Sequence, residues 1–485
     1  MLNAFNYLRS EWSVDLRALG LTRIALGLVF VADVCMRWSD LSMFYTDDGI
    51  FPREMLTDPE SAFYHYWNPS LFLLSGSALW ANVLFAAGLF VGVMVVLGYR
   101  TRLFTLLAFL WLLSVQIRNP LILQAGDDYL RLMFLWGIFL PWGVRYSLDA
   151  FETKAREHDH FDLSVFAVLI QVGALYLCTA LMKSSPEWHS GSDALYYALS
   201  LDQMVKPLGI AIYANGGFLA AMTRASLVLE YLVPILIFMP WQNKFFRLIV
   251  FMGLLLFHLG IELTMHVGLF SWICVSAALT LLPATSIKLV EKGFRFVKRF
   301  FLHVKYSLPY HNPVSVKKPP VAIKFLIVVL ASIGVLKNMD SLGMPFGKME
   351  SAVEQVSRGI GLHQHWGMFA PSVYKDDGWY IYEATTEEGK IDLLTGREVS
   401  EGKPERIFKR YGSARKRKLG ENLRFEWNSG ARKPLCEYLI QSWNAEHQKK
   451  QVEELSVVYM LERTLPNYQE SPIRRQELVQ CNCDD

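Results

Sequence analysis

Apolar runs long enough, or nearly long enough, to cross a bilayer recur along this chain at about residues 18–35, 76–98, 103–117, 128–143, 163–182, 219–239, 247–264, 267–284 and 321–338. A hydrocarbon layer about 30 Å thick takes about 20 residues of helix, and backbone polar groups inside it must be satisfied within the segment itself. The sequence therefore predicts a polytopic α-helical membrane protein of about eight or nine spans, and a composition that is 52% apolar agrees. The first run, from about Ala18 to Cys35, follows Arg9 and Arg17 and lacks a small-residue cleavage site, so it reads as an uncleaved span.

The net charge of +3 is small, and the basic residues gather in particular loops, which excludes nucleic-acid binding as the reading and leaves a topology signal. Arg100 and Arg102, then Arg145, Lys154 and Arg156, then Lys244 and Arg247 fall on alternate loops; the next such loop, about 285–320, is rich in lysine and arginine. If every run spans, all of these lie on the cytoplasmic side of the cell membrane. The loop after Lys183 and the tail beyond about Asn338 are then extracytoplasmic.

Three units follow: a membrane domain over 1–320 that includes the basic loop, a last span at 321–338, and an extracytoplasmic domain over 339–485. In that tail, Trp379 to Leu394 reads as two alternating segments around a Glu387-Glu388-Gly389 turn, and Glu454 to Glu462 as a further strand. Leu435 to about His447 has helical spacing. An α+β or β-sandwich-like soluble domain is expected. The basic run Lys409 to Lys418 reads as a solvated surface, with lipid head groups or an acidic partner as alternatives.

The six cysteines form no CxxC pair, which argues against a disulfide-exchange enzyme. Cys436, Cys481 and Cys483 lie in the polar tail and can pair if it faces an oxidising compartment; the sequence leaves the pairing open.

Polar groups inside spans each need a partner or a purpose. Arg23, Asp33, Arg131, Arg224, Glu230, His258 and Glu262 are such groups. Interhelical ion pairs, for example of Arg23 or Arg131 with Asp33, Asp127 or Asp128, are the plain reading. His258, Glu262 and His266 share a helix face, but their spacing is not a zincin pattern, and no metal is expected. Asp127 and Asp128, between the third and fourth spans, have a helix N-terminal cap as their plain role. The fifth run ends in Met182-Lys183-Ser-Ser-Pro-Glu-Trp188-His-Ser-Gly191. A lysine at that place is kept by snorkelling, by pairing, or because its chemistry is used.

Lys183-x4-Trp188-x2-Gly191, and Phe257-His258 followed by Gly268-Leu269-Phe270-Ser271, resemble the integral-membrane domain of vitamin K-dependent gamma-glutamyl carboxylase. That domain is shared with the bacterial HTTM (horizontally transferred transmembrane domain) proteins, and the likeness covers about residues 10–285. The tail motif Gln364-His-Trp366-Gly-Met-Phe369-Ala-Pro371 also resembles bacterial members.

The resemblance implies Lys183 as the catalytic base, with His258, and Trp188, Gly191, Asp127, Asp128 and Phe270 around a reduced vitamin K-type quinone. Dioxygen and carbon dioxide would be co-substrates, and the product a carboxylated glutamate on an exported peptide or protein. Desolvation beside a quinone would draw a lysine toward neutrality and make it a base. Where the carboxylase has an Asn-His pair this chain has Gly126-Asp127-Asp128, and Met182 stands in place of its second lysine. A non-carboxylating maturation or export factor is the alternative. A transporter ranks last, because the two halves show no inverted repeat.

Overall fold

The computed structural model describes residues 2–152, 159–289, 291–292, 319–344 and 351–482. Most of the basic loop at 285–320, together with Lys154, Arg156 and Cys483, lies outside the described residues.

Among the described residues, seven helices have the length and apolarity to cross a membrane: α1 (Leu16–Trp38), α2 (Ala78–Leu97), α3 (Thr101–Arg118), α5 (Leu163–Met182), α6 (Gly216–Ile237), α7 (Asn243–Thr264) and α9 (Val321–Ser341). Their starts are capped as the sequence allows: Asp15 accepts from the amide of Arg17, Ser77 from Trp80, and Asp162 from Ser164 and Val165. Gly98, at φ +68°, ends α2 in a left-handed turn where a Cβ would collide with the Arg23 guanidinium. The bundle is oily outside and keeps several charged side chains within its largely apolar interior. On α7, Phe245, Ile249, Met252, Leu256 and Leu263 are exposed at helical spacing, whereas Arg247 and His258 on the same helix are buried. That inverts the pattern of a water-soluble helix and suits a lipid surround.

Two of the nine runs form shorter helices, α4 (Ala125–Gly137) and α8 (Phe270–Ala278), the latter continued by a 3₁₀ turn over Leu279–Leu281. Contacts at their ends nevertheless carry the chain across the bundle. Asp127, in the first turn of α4, meets Arg37 at one end of α1, while Tyr146, just beyond that run, accepts from Arg23 near the other. Phe270 lies against Gly126, whereas Glu291 is bonded to Arg17 at 3.2 Å and to Tyr146 at 2.5 Å. Alternation is preserved. Arg100, Arg145, Lys244 and Arg247 all sit at the Arg17 end: Arg100 donates to Asp149, whose amide is held by Gly98; the Arg145 carbonyl abuts Gly20; Lys244 pairs with Asp159; and Arg247 reaches Ser13.

The tail holds one antiparallel sheet. β1 (Asp376–Thr386) turns through Glu387-Glu388 into β2 (Gly389–Asp392), which pairs with β3 (Arg397–Glu398). On its other side β1 pairs along its length with β4 (Val452–Leu465), which in turn pairs with β5 (Gln469–Glu470) and β6 (Arg474–Asn482). Helix α11 (Arg432–Glu446) lays Cys436 and Ile440 on this sheet, and a disulfide joins Cys436 to Cys481 of β6. Of the two tail architectures expected, the single helix-covered sheet is the α+β one.

The tail is not a separate bead. Leu362, Trp366, Leu419, Leu423 and Leu435 are buried in the same apolar core as the membrane helices. The basic run corrects the expectation of a solvated surface: α10 (Ala414–Leu423) docks on the bundle with Arg417 buried and Arg415 reaching Asp33 and Asp127. Like charges spaced along a polar stretch look solvated in sequence; here the acidic partner is inside the same chain, 288 residues earlier.

Candidate functional site

Lys183 caps the C-terminus of α5, and the turns after it are set by proline and glycine. Pro186 O accepts from the amides of His189 and Gly191, and the His189 ring closes back on Lys183 O at 2.7 Å. This turns the Lys183 side chain inward, where it is 4% exposed. Its Nζ lies 2.6 and 2.8 Å from the two carboxylate oxygens of Glu230 on α6, and 4.0 Å above the Trp188 ring. Glu230 is 3% exposed. An ammonium bonded by both oxygens and lying over an aromatic face, away from water, is a strongly held charge. Breaking one partner would leave the other uncompensated.

About two turns back along α5 from Lys183, Tyr176 Oη and His258 Nε2 are 2.8 Å apart. Both are buried, and Phe257 and Phe270 flank the histidine ring at centroid distances of 5.1 and 5.6 Å. His258 Nδ1 is buried with no hydrogen-bond partner among the described residues. An orphaned ring nitrogen among aromatic faces is a group that a ligand oxygen or hydroxyl could satisfy.

Asp127 and Asp128 occupy other roles. Asp127 accepts from the backbone of Gln124 in a capping box, and it also bonds Arg37 at 2.5 Å and Arg415 at 2.9 Å. Asp33 joins the same buried group through Arg37 and Arg415, and Arg37 also donates to Tyr45 Oη. Asp128 pairs with Arg131 at 2.8 Å. Of the ion pairs expected, this last one forms; Arg23 instead donates to the carbonyls of Val95 and Tyr146.

A cavity of about 30 Å³, room for about one water, lies where Asp33, Asp127 and Gln124 face Phe270 and Arg415. Phe270 thus stands between that cavity and His258, and the lining includes neither Lys183 nor His258. Gly191 sits on the exposed surface of its turn, where a Cβ would crowd Asp193. The helix face of His258, Glu262 and His266 does not converge on a point: Glu262 bonds Lys206 at 2.8 Å and His266 stacks on Phe408 at 3.7 Å.

The structure thus brings Lys183 and Trp188 together and, separately, His258 and Phe270, while Asp127 belongs to the ionic seam below the tail and Asp128 pairs with Arg131. Glu230, Tyr176, Arg37 and Arg415 were not singled out for these roles. The available signal was charge parity: Lys183 and Glu230 are the ionisable pair facing each other across two adjacent spans. A polytopic helical bundle closed at one end by an α+β domain, with a dry lysine–glutamate pair beneath the closure, defines the class of protein. The family model described as the HTTM domain matches residues 12–285, more than half of the 485 residues, and the chain belongs to that family. No curated protein and no solved structure matches it.

Proposed function

We propose that this multi-pass membrane protein is a carboxylase-like enzyme that acts on an exported peptide or protein, with its tail on the extracytoplasmic side and Lys183 as base. The observation that carries the reading is the buried Lys183–Glu230 pair at the end of α5, with His258, its Nδ1 unsatisfied, held by Tyr176 about two turns back along the same helix. A base must first be neutral. In a buried pair, Glu230 can take the proton that Lys183 gives up, leaving a free amine on the side facing the Trp188 ring. Tyr176 holds one nitrogen of His258, which leaves the other for an oxygen of the substrate or of a quinone. Aromatic walls at Phe257 and Phe270 suit a flat ring. A reduced vitamin K-type quinone, oxidised by dioxygen, would supply the strong base that removes the glutamate γ-proton, and carbon dioxide would trap the carbanion, as the resemblance to the carboxylase implies. The tail's disulfide and the gathering of basic loops at the opposite end support the outward orientation.

The test is incorporation of labelled carbon dioxide into a glutamate-bearing peptide, with vitamin K hydroquinone and membranes holding the full chain. Lys183→Ala abolishes incorporation and Glu230→Gln lowers it. Full incorporation by Lys183→Ala overturns the reading.

One observation favours a second reading, a maturation or export factor that does no carboxylation: in this closed arrangement Lys183 is occluded and already satisfied by a carboxylate. Co-purification of an unmodified peptide, unchanged by Lys183→Ala, supports that second reading. A mass gain of one carboxyl group on the peptide refutes it.

A further inference from the structure

The segment that follows the last span takes an unusual course. Non-helical backbone at membrane depth is tolerated only where protein surrounds it, and loops ordinarily run over the surface. The segment that starts at Gly361 goes inside instead: Gly361, Leu362, Gln364 and Trp366 are buried, while His365 and Pro371 are exposed along its course. Gln364 accepts from Gln171 Nε2 at 2.9 Å and donates to Gly334 O at 3.2 Å, so it reaches the middle of α5 and α9. Gln171 lies 12 residues before Lys183, roughly 18 Å along the helix. From that depth the segment climbs past Trp366, fully buried edge-on to Tyr129, to the Lys183 loop.

The membrane domain holds this segment largely by its backbone carbonyls. Arg131 donates to Gly361 O at 3.0 Å and to His363 O at 2.5 Å. Trp188 Nε1 donates to Phe369 O at 2.9 Å, and the amide of Ser185 to Pro371 O at 3.2 Å. All four donors belong to the helical domain. Main-chain recognition of this kind does not depend on the sequence of what is held. Two of the donors, on Trp188 and Ser185, flank Lys183. Phe369 itself sits at φ +53°, a conformation that favours glycine, so the fit is imposed on it.

We propose that the membrane domain carries a groove for an extended peptide, leading to Lys183, and that residues Gly361–Pro371 occupy it as an internal stand-in. The inference rests on the reading above that the substrate is a peptide. In the closed chain the stand-in lies against the loop that follows Lys183; a substrate peptide displaces it and takes over the carbonyl contacts with Arg131, Trp188 and Ser185.

The experiment uses the full chain in lipid nanodiscs and two fluorescent eleven-residue peptides, one with the sequence of residues 361–371 and one with the same residues scrambled. A Gln364→Ala/Trp366→Ala chain, its stand-in loosened, binds both peptides within about threefold of each other and at least tenfold more tightly than the unaltered chain does. Adding Trp188→Phe, which keeps the ring and removes the donor, weakens both by about fivefold, one hydrogen bond's worth. Binding of the native sequence alone, which would mark simple repacking of a structural segment, overturns the proposal, as does binding of neither. Should the loosened chain not fold, hydrogen exchange on the unaltered chain decides. Excess scrambled peptide accelerates exchange at residues 361–371 and leaves 376–386 unchanged; no acceleration overturns the groove. Peptide binding without carbon dioxide incorporation leaves the groove standing and removes the catalytic reading. Incorporation without these binding effects removes the groove alone.

Discussion

At the scale of single residues, Lys183 and Glu230 depend on each other. Glu230→Gln leaves a buried ammonium with a neutral partner, and about 3–5 kcal/mol of stability is lost. The double change Lys183→Met/Glu230→Leu restores most of it, because two apolar side chains of similar volume need no compensation. Thermal unfolding of the unaltered chain, Glu230→Gln and the double variant in nanodiscs checks this; a double variant no more stable than Glu230→Gln would mean that the pair does not share its charge as the geometry requires. Lys183 was legible in the sequence because its neighbours Trp188 and Gly191 have a recognisable spacing. Glu230 was visible only as a charge in a span. Its partner could not be read because the pairing depends on how far α5 and α6 are slid against each other, which no local pattern records. Asp127 was legible as a cap and is one. Its bonds to Arg37 and Arg415 were hidden, since the basic run that supplies Arg415 looks like any solvated stretch.

At the scale of elements, the apolar runs gave the helices well, and erred where turns complete a crossing. α4 stops at Gly137, where a Cβ would strike the Trp142 ring, so packing of the following turn against the helix ends it early. The 379–394 hairpin, the 454–462 strand and the 435–447 helix are all present, because alternation and helical spacing are local signals. The disulfide pairing was not local: Cys436 and Cys481 are 45 residues apart in sequence and meet only when α11 lies across β6. Closing that loop stabilises the tail by roughly 3–4 kcal/mol. Reduction, or Cys436→Ser with Cys481→Ser, therefore lowers the melting temperature of the tail, and an unchanged melt would show that the bond contributes nothing.

Between β1 and the loop at Asp202 a second charged contact ties tail to bundle. Asp377 accepts from the amide of Asp202 and from its neighbour Gly378, while Lys403 bridges Asp202 and Glu462 at 2.8 and 2.5 Å. Burial, and then the nearby Asp202, push the Asp377 carboxyl up to about 7. The folded chain therefore holds a proton there that the unfolded chain releases near pH 4. Its contribution is complete below about pH 4 and is lost as pH rises through 7, a change of at most about 4 kcal/mol. Melting temperature is expected to fall between pH 5 and 8, and Asp377→Asn flattens that dependence. A dependence that persists in the variant assigns it elsewhere.

At the scale of the whole molecule, the bundle and the tail share one core, and the tail and the Lys183 loop lie at the same end. Single cysteines placed at the exposed positions Ser400 and Arg102, with Cys35 and Cys483 replaced by alanine, report the sides. A membrane-impermeant maleimide labels Ser400→Cys on intact cells and Arg102→Cys only after lysis. The reverse pattern would place the tail in the cytoplasm and leave Cys436–Cys481 in a reducing compartment.

The ionic seam also sets a schedule for synthesis. Asp33 and Asp127 are made early, and the guanidinium that closes over them arrives 288 residues after Asp127. At roughly 5–20 residues per second, the newborn bundle waits on the order of fifteen seconds to a minute with its acidic mouth open. Whatever assists its insertion has to tolerate, or shield, two carboxylates whose final counter-charge is still inside the ribosome.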